Sequence, residues 1–145
     1  MKSLLKIAFL TLLSYTTCDI FAQCKGFTKR NCLPELAPYM SNGQMNAAHF
    51  VPGENAQLDL NLNKGLSYRL LICADEYLSG LNYKLTDKSS GQVYHKDTLS
   101  DVFSISDLKV KQSGLINLEI KVPDQENPTG IVRSGCVTIL VGFKE

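Results

Sequence analysis

The chain has 145 residues, with 15 Lys and Arg against 14 Asp and Glu and a formal net charge of +1. That balance builds no cationic surface to gather a polyanion, so nucleic-acid binding is disfavoured. The length fits one ordinary domain after a short leader, and the absence of Trp removes the usual aromatic platform of sugar-binding sandwiches.

The chain opens with Lys2 and Lys6, followed by an apolar run from Ile7 to Leu13 and then Ile20-Phe21-Ala22. A charged start, a short apolar middle and a small terminal residue mark a signal peptide, with cleavage expected after Ala22. The apolar run falls well short of the roughly 20 residues that cross a bilayer. Two other readings of this region are a buried first helix and a lipid anchor on Cys18 or Cys24. No later segment is long and apolar enough to span a membrane. The expected organisation is a signal at 1–22, a disulfide-closed segment at 23–43 and a β-sandwich at 44–145. The expected location is secreted or periplasmic. The leader carries Lys2, Lys6 and Asp19, so the remaining chain holds equal numbers of acidic and basic residues.

Beyond the leader lie Cys24, Cys32, Cys73 and Cys136. An even number in an exported chain argues for two disulfides. Three pairings are possible. Sequence proximity favours Cys24–Cys32, which leaves Cys73–Cys136. A zinc site or a catalytic thiol is the alternative, but the spacings match no common zinc pattern.

From about residue 44 the side chains follow a period of two. After a strand at about 44–51, Ala56, Leu58, Leu60 and Leu62 share one face of the next. Asn63-Lys64-Gly65 turns the chain into 67–74. Leu81 to Thr86 alternates again, and Asp87-Lys88-Ser89-Ser90-Gly91 is a hairpin loop. Short strands follow at 92–96 and 102–105. Ile116, Leu118, Ile120 and Val122 then alternate with polar residues, and 134–143 is a long aliphatic strand. Eight short strands with no amphipathic helix among them predict an all-β, antiparallel β-sandwich of jelly-roll type.

The two strands bearing cysteines are apolar on both faces. Tyr68, Leu70 and Ile72 oppose Leu71 and Cys73; Val137, Ile139, Val141 and Phe143 oppose Cys136 and Leu140. These strands are expected to be neighbours at a sheet centre, with one face in the sandwich. The other face is expected to lie under a helical turn at 32–40, covered by Leu33, Leu36 and Met40, with Pro34 at the helix start.

The stretch Gly65-Leu66-Ser67-Tyr68-Arg69-Leu70-Leu71-Ile72 resembles the strand entry of bacterial pre-peptidase C-terminal domains and related GOLD-type jelly rolls. Leu81 to Asp87 with Gly91, then Ser113-Gly114-Leu115-Ile116-Asn117-Leu118 and the closing aliphatic strand, continue the likeness over about 44–143. The resemblance implies a non-catalytic β-sandwich that serves as an accessory or binding module of exported proteins. It transfers no binding residue to this chain.

No motif announces catalysis. His49 and His95 fall in strands near sheet edges, without a nucleophile elbow or a local base–nucleophile pair. The acidic residues Asp75, Glu76, Asp87, Asp97, Asp101, Asp124 and Glu126 sit in turns without a calcium-loop pattern, so no metal and no cofactor is expected. The loop Ala74-Asp75-Glu76-Tyr77-Leu78-Ser79-Gly80 offers the one plausible exposed aromatic anchor, Tyr77, beside Asp75 and Glu76. The favoured reading is a non-enzymatic exported domain that binds an envelope protein or polymer. A structural or assembly component of an envelope complex is the alternative, followed by a small hydrolase or inhibitor.

Overall fold

The computed structural model describes residues 20–125 and 130–145, with side chains from Cys24 onward. Most of the predicted leader, including Cys18, lies outside the described residues, as does Glu126. Helix α1 (Ile20–Phe27) runs into a π-helical turn at Thr28–Cys32 and a 3-10 turn at Leu33–Leu36. Pro34 sits in the first turn of that last piece, where its missing N–H costs nothing. Eight strands follow: β1 (Met40–Phe50), β2 (Asn55–Leu62), β3 (Ser67–Ala74), β4 (Asn82–Asp87), β5 (Val93–Thr98), β6 (Phe103–Lys109), β7 (Gly114–Lys121) and β8 (Gly135–Lys144).

They form two four-stranded antiparallel sheets in the orders β1-β8-β3-β6 and β2-β7-β4-β5. This is the strand order of a jelly roll, as expected from the eight alternating segments. The inward residues of both sheets make one core. Leu60 and Leu62 of β2, Leu70 and Ile72 of β3, Leu85 of β4, Leu118 and Ile120 of β7, and Val137, Ile139 and Val141 of β8 all lie in it. Each large aliphatic side chain buried there contributes about 1.5–3 kcal/mol.

β3 and β8 are direct neighbours, with Cys73 opposite Thr138, Leu71 opposite Leu140 and Arg69 opposite Gly142. Their second apolar face carries a smaller core of Leu71, Cys73 and Leu140, capped by Cys32 and Leu36 with Phe27 and Tyr39 packed alongside. The N-terminal strap therefore covers this face as expected, but with different residues. Leu36 is buried, whereas Leu33 and Met40 are exposed. Leu33 opens the 3-10 turn and Met40 already belongs to edge strand β1, so neither position points at the sheet. Cys32, Phe27 and Tyr39 supply the missing cover.

The expected cysteine pairing is corrected. The disulfide is Cys24–Cys136, with a Cα–Cα distance of 5.3 Å, while Cys32 and Cys73 are buried thiols. Cys24 and Cys32 stand two turns apart on a continuous helical stretch. At ~1.5 Å rise per residue that separates them by about 12 Å, beyond any disulfide. Cys73 and Cys136 share a face of adjacent strands but are out of register, because Cys73 lies opposite Thr138. In the chain-entropy model, a bond across 112 residues stabilises the fold by about 5 kcal/mol.

At its far end the strap is held by Arg69. Its guanidinium donates Nη1 to the Ala37 carbonyl at 2.7 Å and stacks over the Tyr39 ring at 4.5 Å from the centroid. It also grips Asp107 through Nε and Nη2, at 2.8 and 2.9 Å.

Candidate functional site

The loop after β3 is built around one buried residue. Leu78 is fully buried and anchors the 3-10 turn Glu76–Leu78. The Asp75 N–H donates to the Cys136 carbonyl, and the Leu78 N–H to the Asp75 carbonyl, both at 2.9 Å. With Leu78 pointing in, Tyr77 points out and is 42 % exposed. Asp75 is half-buried and Glu76 exposed.

The chain entering β8 lies beside this turn. Gly135 makes the approach possible: a Cβ there would sit 2.6 Å from the Asp75 Cβ. Just before it, the Arg133 guanidinium lies over the Tyr77 ring at 5.0 Å from the centroid. From the loop after β7, Gln125 donates Nε2 to the Tyr77 carbonyl at 3.1 Å. Ile131 and Val132, which precede Arg133, are 68 % and 65 % exposed. Two segments remote in sequence thus present an aromatic ring, a stacked guanidinium and two aliphatic side chains at one end of the sandwich.

Tyr77 was legible as an exposed aromatic in a loop. Its partners Arg133, Ile131, Val132 and Gln125 were not, since nothing in their local pattern names the turn they pack beside. The expected trio is only partly a unit. Asp75 serves the backbone at the turn, Glu76 is exposed, and Tyr77 alone of the three joins the surface.

The histidines sit elsewhere. His49 is exposed on edge strand β1, opposite Cys136. His95, on edge strand β5, has Nε2 3.2 Å from the Tyr83 hydroxyl. That hydroxyl also meets Ser104 Oγ at 2.9 Å and Ser106 Oγ at 3.2 Å. Tyr83 belongs to one sheet and both serines to β6 of the other, so the phenol joins the two sheets through a polar knot. The arrangement satisfies buried hydroxyls; among the described residues no carboxylate orients the imidazole as a catalytic base requires.

Asp87 likewise turns inward on its own loop, accepting from the backbone and hydroxyls of Ser89 and Ser90 and from the Tyr94 hydroxyl. The Ser89 hydroxyl and Ser90 backbone hold its carboxyl far below the usual carboxylate range. Among the described residues no three His, Cys, Asp or Glu side chains converge as metal ligands. No described helix is long and apolar enough to cross a membrane.

Among the described residues, two of the open grooves flank the core. One, of about 330 Å³, runs between β1 and β2 and is lined by Met45, Phe50, Leu58, Ile120 and Ile139. The other, of about 460 Å³, has Leu85 and Leu108 on its floor and Tyr94, Lys109, Lys111 and Gln112 around it.

No family model and no curated protein matches the chain. Among solved structures, a periplasmic inhibitor of g-type lysozyme from Aeromonas hydrophila is similar over 74 % of this chain and 89 % of its own. The identity is 9 % and the TM-score 0.49. The VP2 subviral particle of infectious bursal disease virus is similar over 71 % of this chain and 33 % of its own, at 13 % identity and a TM-score of 0.43.

Proposed function

We propose that this chain is an exported, non-catalytic jelly-roll domain that binds another envelope protein through the Tyr77–Arg133 end of the sandwich. One observation carries the reading: two consecutive aliphatic side chains, Ile131 and Val132, stand about two-thirds exposed beside an arginine stacked on an exposed tyrosine. Tyr and Arg are the residues that dominate protein–protein binding energy, and exposed aliphatics beside them are the surface a partner desolvates. Arg133 is held by the ring it stacks on, so less side-chain freedom is lost on docking. Export is supported by the charged, apolar leader and by the Cys24–Cys136 disulfide, a bond that persists in oxidising compartments. The resemblance to accessory jelly rolls of exported proteins fits the same reading.

The test is affinity capture from the protein's own envelope extract, with the wild-type domain and the variants Y77A, R133A and V132D as bait. A specific partner should be retained by the wild type and weakened about 30-fold or more by R133A or Y77A, the effect of losing an anchor worth ≥2 kcal/mol. Unfolding midpoints should stay close to wild type. A partner retained equally by all three variants would remove this end of the sandwich as the binding surface.

A further inference from the structure

The strap meets the sheet in rungs. Cys24, Thr28 and Cys32 recur every fourth residue along the continuous helical stretch, so they form one stripe. All three are buried. Beneath them the outward face of β8 presents Cys136 and then Thr138, and Cys73 of β3 lies directly opposite Thr138. The first rung is covalent, Cys24–Cys136. The second is a hydrogen bond, Thr28 Oγ1 to Thr138 Oγ1 at 2.8 Å. The third brings the thiol of Cys32 against that of Cys73 in the small outer core they share with Leu36, Leu71 and Leu140.

We propose that Cys32 and Cys73 are the site of a second disulfide, which locks the strap's distal turn onto β3 as Cys24–Cys136 locks its start onto β8. The chemistry is thiol–disulfide exchange. The thiolate of one cysteine attacks the disulfide of an oxidant, either a dithiol–disulfide oxidoreductase or oxidised glutathione, and expels one of its sulfurs as a thiol. The second cysteine then displaces the other sulfur from the mixed disulfide. Two S–H bonds are lost and one S–S bond forms in the protein, and the oxidant takes up two electrons and two protons.

The folded environment decides when this occurs. Contact with Cys32, and then burial, push the Cys73 thiol far above its ordinary range. The Cys73 thiolate is therefore scarce once the strap has docked, and both cysteines are buried away from an oxidant. Closure belongs to the folding chain, while the strap is still leaving and rejoining the sheet. In the cell it rests on the export reading above, which supplies the oxidising compartment.

The decisive experiment works on purified protein, independent of export. The full chain carrying C18S is denatured, reduced and refolded in a buffer of reduced and oxidised glutathione. It is then alkylated under denaturing conditions, digested and mapped by mass spectrometry. The expected result is two cross-linked peptide pairs, Cys24–Cys136 and Cys32–Cys73, with alkylation of Cys32 and Cys73 at background. The C24S/C136S variant, refolded in the same way, should still yield the Cys32–Cys73 cross-link, because that rung has its own contacts. Closure of Cys24–Cys136 with Cys32 and Cys73 both alkylated overturns the proposal, as does any other pairing of those two cysteines. Failure of the Tyr77 and Arg133 variants to alter capture would count against the proposed binding surface and leave this result untouched.

Discussion

Thr28 and Thr138 lie 110 residues apart in sequence, yet their hydroxyl oxygens meet at 2.8 Å between the two pairs of cysteines. Both side chains are fully buried. Thr28 donates its hydroxyl hydrogen to the Cys24 carbonyl at 2.8 Å, so Thr138 must donate to Thr28. The pair gives the strap a polar register mark inside an otherwise apolar interface.

That geometry predicts an asymmetric cost. T28V keeps the side-chain shape but removes both bonds and leaves the Thr138 hydroxyl buried without its acceptor. It should destabilise the protein by about 1–3 kcal/mol, the cost of an unsatisfied buried group. T28V/T138V should cost less than the sum of its single variants, since the two residues share one interaction. Urea unfolding of the four proteins measures the coupling directly. Strict additivity would mean the bond contributes nothing to docking.

Gly142 marks how closely the strap lies on β8. A Cβ at this position would stand 2.7 Å from the Tyr39 Cβ and 3.0 Å from Leu36 Cδ1. Those atoms belong to the covering segment, so G142A must lift it. The expected loss is about 1–3 kcal/mol, typical of overpacking a filled interface. Amide hydrogen exchange around residues 36–39 should rise while the inner strand β7 stays protected. Unchanged protection at 36–39 would contradict the packing described.

The Arg69 clamp carries a pH dependence of known sign. The hydrogen bonds from Arg69 hold the Asp107 carboxyl below its ordinary range. A depressed folded-state pKa stabilises above the unfolded value, about 3.9, and that contribution fades as pH falls through the folded one. D107N should therefore be less stable than wild type near neutral pH, and the gap should close on acidification. Asp107 is nearly half exposed, so the gap at neutral pH should be no more than about 1 kcal/mol. Chemical denaturation of both proteins between about pH 7 and pH 2.5 spans the window around the unfolded value. A gap that widened towards acid would reverse the assignment.

Period-two alternation determined most of the fold. Inward positions such as Leu58, Leu70, Leu118 and Ile139 follow from the chain being extended, because successive side chains then leave opposite sides of the backbone. The two-faced pattern of the cysteine strands also placed β3 beside β8 and called for a cover over their outer face. Cysteine partners were decided at a different level. Cys24, Thr28 and Cys32 form a stripe only because the segment is helical, and Cys73 comes beside Cys136 and Thr138 only because of the β3–β8 register. Bond-forming distance depends on how those two periodic surfaces dock, and neither period contains that information. The same holds for Arg133 over Tyr77. Each residue is an ordinary loop side chain on its own, and closing the jelly roll brings the two loops together, with Gly135 leaving room for the approach.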